Sequence, residues 1–98
     1  MGREEIIFTR EELSRITKDI AMNTITVDVH GMSCHDAWWF VHNIVALHHR
    51  DQFSIVVIHG YNGGVSIKKT LWDRPVSVRV QRMQSCFWNP GVTTIMVA

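Results

Sequence analysis

Two short apolar runs in this chain end in the same dipeptide. Ile25-Thr26-Val27-Asp28-Val29 leads into His30-Gly31, and Ser54-Ile55-Val56-Val57-Ile58 leads into His59-Gly60. Asp28 and His30 are two apart on a β-like run, so their side chains share one face near its end. A carboxylate there can orient or ionise the imidazole, and the imidazole can move a proton, which suits phosphodiester hydrolysis. The plainer reading is an Asp that caps a turn and a His bonded to backbone. The second run feeds Gly60-Tyr61-Asn62-Gly63-Gly64. A glycine-rich loop between a strand and a helix start can cradle a phosphate with its N–H groups, and Lys68 and Lys69, one turn on, add charge. A simple chain reversal is the plainer reading of that loop. Asp28, His30, Cys34 and His59 are of metal-ligating type but lack the dense spacing of a zinc motif, so no tight metal site is expected.

These groups act together only if the fold brings them to one place. Two neighbouring parallel strands would put both histidines on the same sheet edge, where open α/β sheets bind ligands. The rest of the chain is consistent with that arrangement. Thr9-Arg10-Glu11-Glu12 has the form of a capping box and predicts a helix from about Arg10 to Ala21, with Leu13, Ile16 and Ile20 as its stripe. Met22-Asn23 breaks it, and 24–30 reads as the first strand. Ser33 caps the longest helix, whose buried stripe is Ala37, Val41, Ile44 and Val45, widened by Trp38, Phe40 and Leu47 and closed by His48, His49 and Arg50. Phe53 to Ile58 is continuous and apolar, as for a strand covered on its faces. A short helix runs from about Val65 to Asp73 and stops at Arg74-Pro75. Val76, Val78 and Val80 alternate with polar residues as a half-buried strand, a loop spans Met83 to Gly91, and Val92 to Val97 is the last strand.

With 98 residues, 46% hydrophobic, the chain is one domain able to bury a core. No apolar run approaches the roughly 20 residues of a membrane span, so no membrane contact is expected. Two distant cysteines and a mixed-charge start predict reduced thiols and a cytoplasmic protein. Net charge is only +1. Between Arg50 and Arg82, however, the basic residues Arg50, Lys68, Lys69, Arg74, Arg79 and Arg82 face only Asp51 and Asp73. Arg79 and Arg82 with Trp88 suggest a second positive rim, although such a face is commonly just solvated. His35, Trp38, Trp39 and His42 recur along the long helix and can stack on bases. Core packing is the commoner role, favoured for Trp38 and left open for Trp39.

Val27-Asp28-Val29-His30-Gly31 resembles the Leu-Asp-x-His-Gly strand end that opens the small MutS-related (Smr) domain, with Val27 in place of the usual Leu. Ser33-Cys34-His35-Asp36-Ala37 resembles the capped helix start that follows it. Ile58-His59-Gly60-Tyr61-Asn62-Gly63-Gly64 is similar to the second motif, an apolar strand ending in His-Gly or Thr-Gly and a glycine-rich loop. Gly91-Val92-Thr93-Thr94-Ile95 is similar to the terminal strand. The likeness covers 24–98, in order. Asn62 stands where the loop usually has Gly, and either Gly63 or Gly64 can correspond to the last family glycine.

The resemblance implies an α/β (α+β) two-layer sandwich, βαβαββ, like the C-terminal domain of translation initiation factor 3. Its four-stranded mixed sheet would run 1-2-4-3 with the last strand antiparallel. The division implied is an N-terminal helical extension, 1–23, and an Smr-like domain, 24–98. It also implies nucleic-acid binding, DNA or RNA, with some relatives acting as endonucleases or nickases. On that reading Asp28, His30 and His59 are the candidate catalytic residues. Gly60, Asn62, Gly63, Gly64, Lys68, Lys69, Arg79 and Arg82 are the candidate nucleic-acid contacts. Mg²⁺ or Mn²⁺ would arrive with the substrate, and a larger assembly is compatible. The alternatives are a non-catalytic nucleic-acid or ribosome binding module and a small nucleotide or phosphate site.

Overall fold

The capping box forms: the Glu12 N–H donates to Thr9 Oγ1 (3.1 Å) and the Thr9 N–H to Glu12 Oε1 (2.9 Å). A computed structural model describes residues 7–48, 51–61 and 65–98. The helix that the box starts, α1 (Arg10–Ser14), is much shorter than the pattern predicts. Strand β1 (Ile16–Asp19) replaces its second half and pairs antiparallel with β2 (Thr24–Asp28), Ile16 opposite Val27. A helix here would leave the edge of β2 open, whereas a strand satisfies that edge with backbone partners. The β-branched pair Ile16-Thr17 suits the strand. Ile20, expected on the helix stripe, is exposed in the β1–β2 turn, which Asn23 closes with φ +50°.

Ser33 caps α2 (Cys34–Leu47) by accepting from the Asp36 N–H at 3.0 Å. β3 (Phe53–Ile58) follows, then α3 (Val65–Asp73), β4 (Val80–Cys86) and β5 (Asn89–Val97). The sheet order is β1-β2-β3-β5-β4, with β2 and β3 parallel and β5 antiparallel to both of its neighbours. Strands β2 to β5 keep the 1-2-4-3 order of the resemblance, and β1 adds a fifth strand beside β2.

Two segments near the C-terminus differ from their sequence pattern. Val76 is buried and Val78 fully exposed, but both precede the strand. The supposed loop from Met83 to Gly91 is the end of β4, a turn at Phe87-Trp88 and the start of β5. β4 is an edge strand with bulge-like register shifts near both ends. A strand solvated on one side and bulged shows no clean alternation, so its pattern is hard to read.

Helices α2 and α3 pack together over one face of the sheet. The core is Ile25, Val27, Ile55, Val57, Ile95 and Val97 from the strands, against Ala37, Phe40, Val41, Ile44, Ile67 and Leu71 from the helices. Phe8 adds an edge-to-face contact with Phe40 (5.0 Å). Thr26, Ser54, Val56, Ile58 and Thr94 lie on the other face and are half-buried. β3 is therefore covered by helices on one face only, despite its continuous apolar sequence. Trp38 is a core residue: its indole N–H donates to the Arg74 carbonyl (2.7 Å), His42 stacks on one ring and Arg74 lies 4.4 Å from a ring centre. Trp39 is partly exposed.

Arg79 is a clamp inside this framework. Its guanidinium donates to the carbonyls of Val45 (3.2 Å), His48 (2.9 Å), Asp51 and Ala98 (2.8 Å). It thereby satisfies the last carbonyls of α2 and offsets the negative end of that helix. The expected role of Arg79 on a nucleic-acid rim does not hold, because its side chain is engaged within the fold.

Candidate functional site

Asp28 and His30 come together where β2 ends. Asp28 Oδ1 lies 2.5 Å from His30 Nδ1 and accepts the His30 backbone N–H at 3.1 Å. A carboxylate oxygen can only accept, so Nδ1 carries the proton and Nε2 of the neutral ring is the basic nitrogen. No described residue occupies Nε2, and the His30 side chain is 67% exposed. Burial alone pushes the Asp28 carboxyl up. The hydrogen bonds from the His30 ring and N–H, with the charges of His30 and Arg15, outweigh it and hold the group below the usual carboxylate range.

Arg15 supports this strand end. Its Nη1 donates to the carbonyls of Asp28 (3.0 Å) and His30 (3.2 Å), its backbone carbonyl accepts the Asp28 N–H (2.9 Å), and Glu11 pairs with Nη2 (3.4 Å). The dyad borders an open depression of about 440 Å³ formed with Glu11, Ser14, Thr17, Thr26 and Ile58.

The second His-Gly turn reaches the same edge. Gly60 has φ +88°, a conformation that favours glycine, and a Cβ built on it would lie 3.3 Å from the His30 Cβ. The N–H groups of His59 and Gly60 both donate to the Gly91 carbonyl (2.9 and 3.1 Å). Gly91 is equally constrained, since a Cβ there would meet the Gly60 carbonyl carbon at 3.1 Å.

The His59 ring, expected to act beside His30, instead faces inward and is 1% exposed. Its Nδ1–H donates to the Gly60 carbonyl (3.1 Å), so Nε2 accepts from the Thr93 hydroxyl (3.0 Å); Thr93 Oγ1 in turn accepts the Trp72 indole N–H (3.3 Å). Both ring nitrogens are occupied and no solvent reaches them. A catalytic role for His59 is corrected on that ground: the ring fixes Gly60 and joins the end of β3 to β5 through Thr93. Burial pushes the imidazole pKa down, only partly opposed by the bond to Gly60, and the charge of Lys68 lowers it further.

A pH dependence follows. The unfolded ring takes up a proton below its ordinary value of about 6.5, while the folded ring resists it. The stability contributed by the neutral ring is thus complete above that value and is lost as the pH falls towards the folded value. The urea midpoint is expected to fall between about pH 7.5 and about pH 5.5, and to fall less in His59→Gln.

The remaining predicted residues divide. Lys68 is half-buried near His59. Lys69 is exposed and paired with Asp73. Arg82 is exposed on the open face, opposite Met96, and the rows of paired residues run Arg82–Met96–Ser54–Thr24 and Val92–Ile58–Asp28. Arg82 therefore lies four residues, about 13 Å, along the strands from the dyad row. Asn62, Gly63 and Gly64 lie outside the described residues, as do His49 and Arg50. Among the described residues no three His, Cys, Asp or Glu side chains converge as a metal site. Cys34 and Cys86 are free thiols.

Arg15 and Thr93 were not singled out from the sequence. Thr93 had a signal: it shares inward parity with Ile95 and Val97, and a polar residue there implies a buried partner. Arg15 had none beyond its spacing from Glu11.

No family model matches the sequence, and no curated protein matches it. Among solved structures, the crystal structure of the Smr domain of Thermus thermophilus MutS2 matches with a TM-score of 0.60, covering 74% of this chain and 96% of that domain at 16% identity. The chain has the Smr fold. Within that fold, Asp28, His30 and Gly60 meet at the ends of the two parallel strands, and no helix among the described residues is long and apolar enough to cross a membrane.

Proposed function

We propose that this Smr-fold protein binds nucleic acid at the edge shared by the two His-Gly turns, and that Asp28 and His30 act there as an acid/base pair in phosphodiester cleavage. The observation that carries this reading is the Asp28–His30 hydrogen bond, which directs the protonated Nδ1 at a carboxylate and leaves Nε2 to solvent. In that state Nε2 takes the proton of an attacking 2′-hydroxyl or water as the new P–O bond forms. As the old bond breaks, the departing oxygen takes a proton from the His30 imidazolium or from solvent water, and Asp28 stabilises that imidazolium while it lasts. Mg²⁺ or Mn²⁺ carried by the phosphate keeps most of its waters and needs few protein ligands; Asp28, whose Oδ2 has no described partner, is the residue suited to meet it. When present, the ion neutralises developing charge.

A second reading, a binding module without cleavage, gains from the withdrawal of His59, which leaves His30 as the accessible imidazole of the two His-Gly turns. Among the described residues near this edge and the open face, the cations that remain for phosphate are few, chiefly Lys68 and Arg82, since Arg79, Lys69 and Arg15 have partners. A shallow salt response follows: with two to three phosphate contacts on a single strand, the logarithm of the binding constant should fall with a slope of about −1.5 to −2. A labelled oligonucleotide titrated at increasing salt tests the reading. Binding with that slope, undisplaced by a mononucleotide at equal phosphate concentration, supports it. Displacement by the mononucleotide instead favours a small nucleotide site, and no binding at low salt overturns the proposal.

A further inference from the structure

The β4–β5 turn holds two adjacent aromatics in water. Phe87 is 95% exposed and Trp88 84%. Tight hairpin turns ordinarily use Asn, Asp or Gly, and large aromatics gain nothing from folding while they remain hydrated. Neither residue has a positive φ, and the register shift between Ser85 and Cys86 accommodates the pair without one. Bulges of this kind re-aim side chains and recur beside functional sites.

The location of the turn gives the pair a use. Asp28, Ile58 and Val92 form one row across the open face, two strand spacings or about 10 Å from end to end. Val92 and Thr94 border a depression of about 380 Å³ whose far wall is Phe87 and Trp88, with Gln84 and Ser85 as polar lining. Ile58 borders the dyad's own depression. The two hollows thus lie side by side at the same end of the open face. From Arg74 to Ala98 the chain has no Asp or Glu, so nothing acidic on this hairpin repels a phosphate backbone.

We propose that Phe87 and Trp88 form a stacking platform for unpaired bases, making the substrate class single-stranded nucleic acid, including loops and frayed ends, rather than continuous duplex. This rests on the nucleic-acid reading above and specifies it. Stacking needs only the faces of bases, which a duplex conceals, and is tolerant of sequence. The strand would cross the open face from the aromatic tip towards His30, with Gln84 and Ser85 available to base edges or phosphates. An exposed aromatic tip also suits a protein partner, but the acid-free hairpin beside a dyad with a free imidazole nitrogen favours the nucleic acid.

The test compares the full chain with Phe87→Ser/Trp88→Ser on a mixed-sequence single-stranded oligonucleotide and its blunt duplex, DNA and RNA in parallel. Wild type is expected to bind the single strand more tightly. The double variant should lose about 10-fold to 100-fold in single-strand affinity, with duplex binding and salt slope little changed. Because both side chains are hydrated, its melting temperature should match wild type. A second variant guards against an unforeseen folding defect: Trp88→Phe should keep single-strand affinity within a few-fold and remove most of the tryptophan quenching caused by the oligonucleotide. Unchanged single-strand affinity in the double variant, or equal losses on single strand and duplex, overturns the platform and leaves the nucleic-acid reading standing. Absence of wild-type binding to every oligonucleotide overturns both.

Discussion

Arg79→Ala is expected to lower the melting temperature by about 15–25 °C. The guanidinium donates to carbonyls from the end of α2, the segment before β3 and Ala98 after β5, so one side chain ties three parts of the chain together. Hydrogen bonds from a charged donor contribute about 1.5–3 kcal/mol each. The four share one group and are not additive, so a total of about 3–4 kcal/mol is the reasonable expectation. For a domain of this size each kcal/mol moves the midpoint by about 4–8 °C. Lysine should recover little, since a single ammonium cannot reproduce the planar fork. Thermal unfolding by circular dichroism checks both variants. A loss below about 5 °C for Arg79→Ala would contradict the clamp and reopen a surface role for this arginine.

His30→Ala should reduce cleavage of a structured single-stranded substrate by about 100-fold to 10,000-fold, the range for loss of a general acid or base. Binding should stay within a few-fold, because the ring is exposed and its removal leaves the turn held by Arg15 in place. Asp28→Asn is a sharper probe. An amide can offer Nδ1 a donor in place of an acceptor, so the tautomer that presents Nε2 as a base is no longer favoured. Cleavage should therefore fall while the turn, held by Arg15, keeps its shape. Single-turnover rates with Mg²⁺ or Mn²⁺, measured alongside binding, separate the two effects. Equal loss of binding and cleavage would assign Asp28 and His30 to docking alone.

Much of the architecture was legible because its signals are local. The capping residues Thr9 and Ser33 act within one turn, and the alternating Ile25, Val27 and Val29 mark a face without reference to the rest of the chain. The parallel pairing of β2 with β3 follows from the intervening helix. Residues 16–19 form a strand rather than the helix their pattern predicts, because a sheet edge 5 to 11 residues away sets their conformation. Leu13, Ile16 and Ile20 fit a helical stripe equally well until Ile16 finds Val27. β4 departs from its sequence pattern because an edge strand with bulges loses the period of two.

At the site, spacing placed Asp28 and His30 correctly on one face, and the neighbouring strands brought Gly60 to His30. The fate of His59 was not readable in its own run. Side chains alternate about a strand, and Ile55 and Val57 face the core, so the inward direction at 59 follows from parity. An imidazole at the end of that row can still turn to solvent, and Thr93, 34 residues on, decides that it does not. Arg79 and Arg82 looked alike as charges. Only tertiary contacts distinguish the half-buried clamp from the exposed side chain on the open face.

The central claim is that the edge built by the two His-Gly turns and the β4–β5 turn is the face that meets nucleic acid. Backbone amide chemical shifts of the full chain, followed during titration with a single-stranded oligonucleotide, test it most directly. The largest changes are expected at His30, Gly31, Gly60, Tyr61, Phe87 and Trp88, with Ile20, Met22, Asp51 and Ala98 at the opposite end nearly unmoved. Changes concentrated at that opposite end, with the His-Gly turns silent, would contradict it.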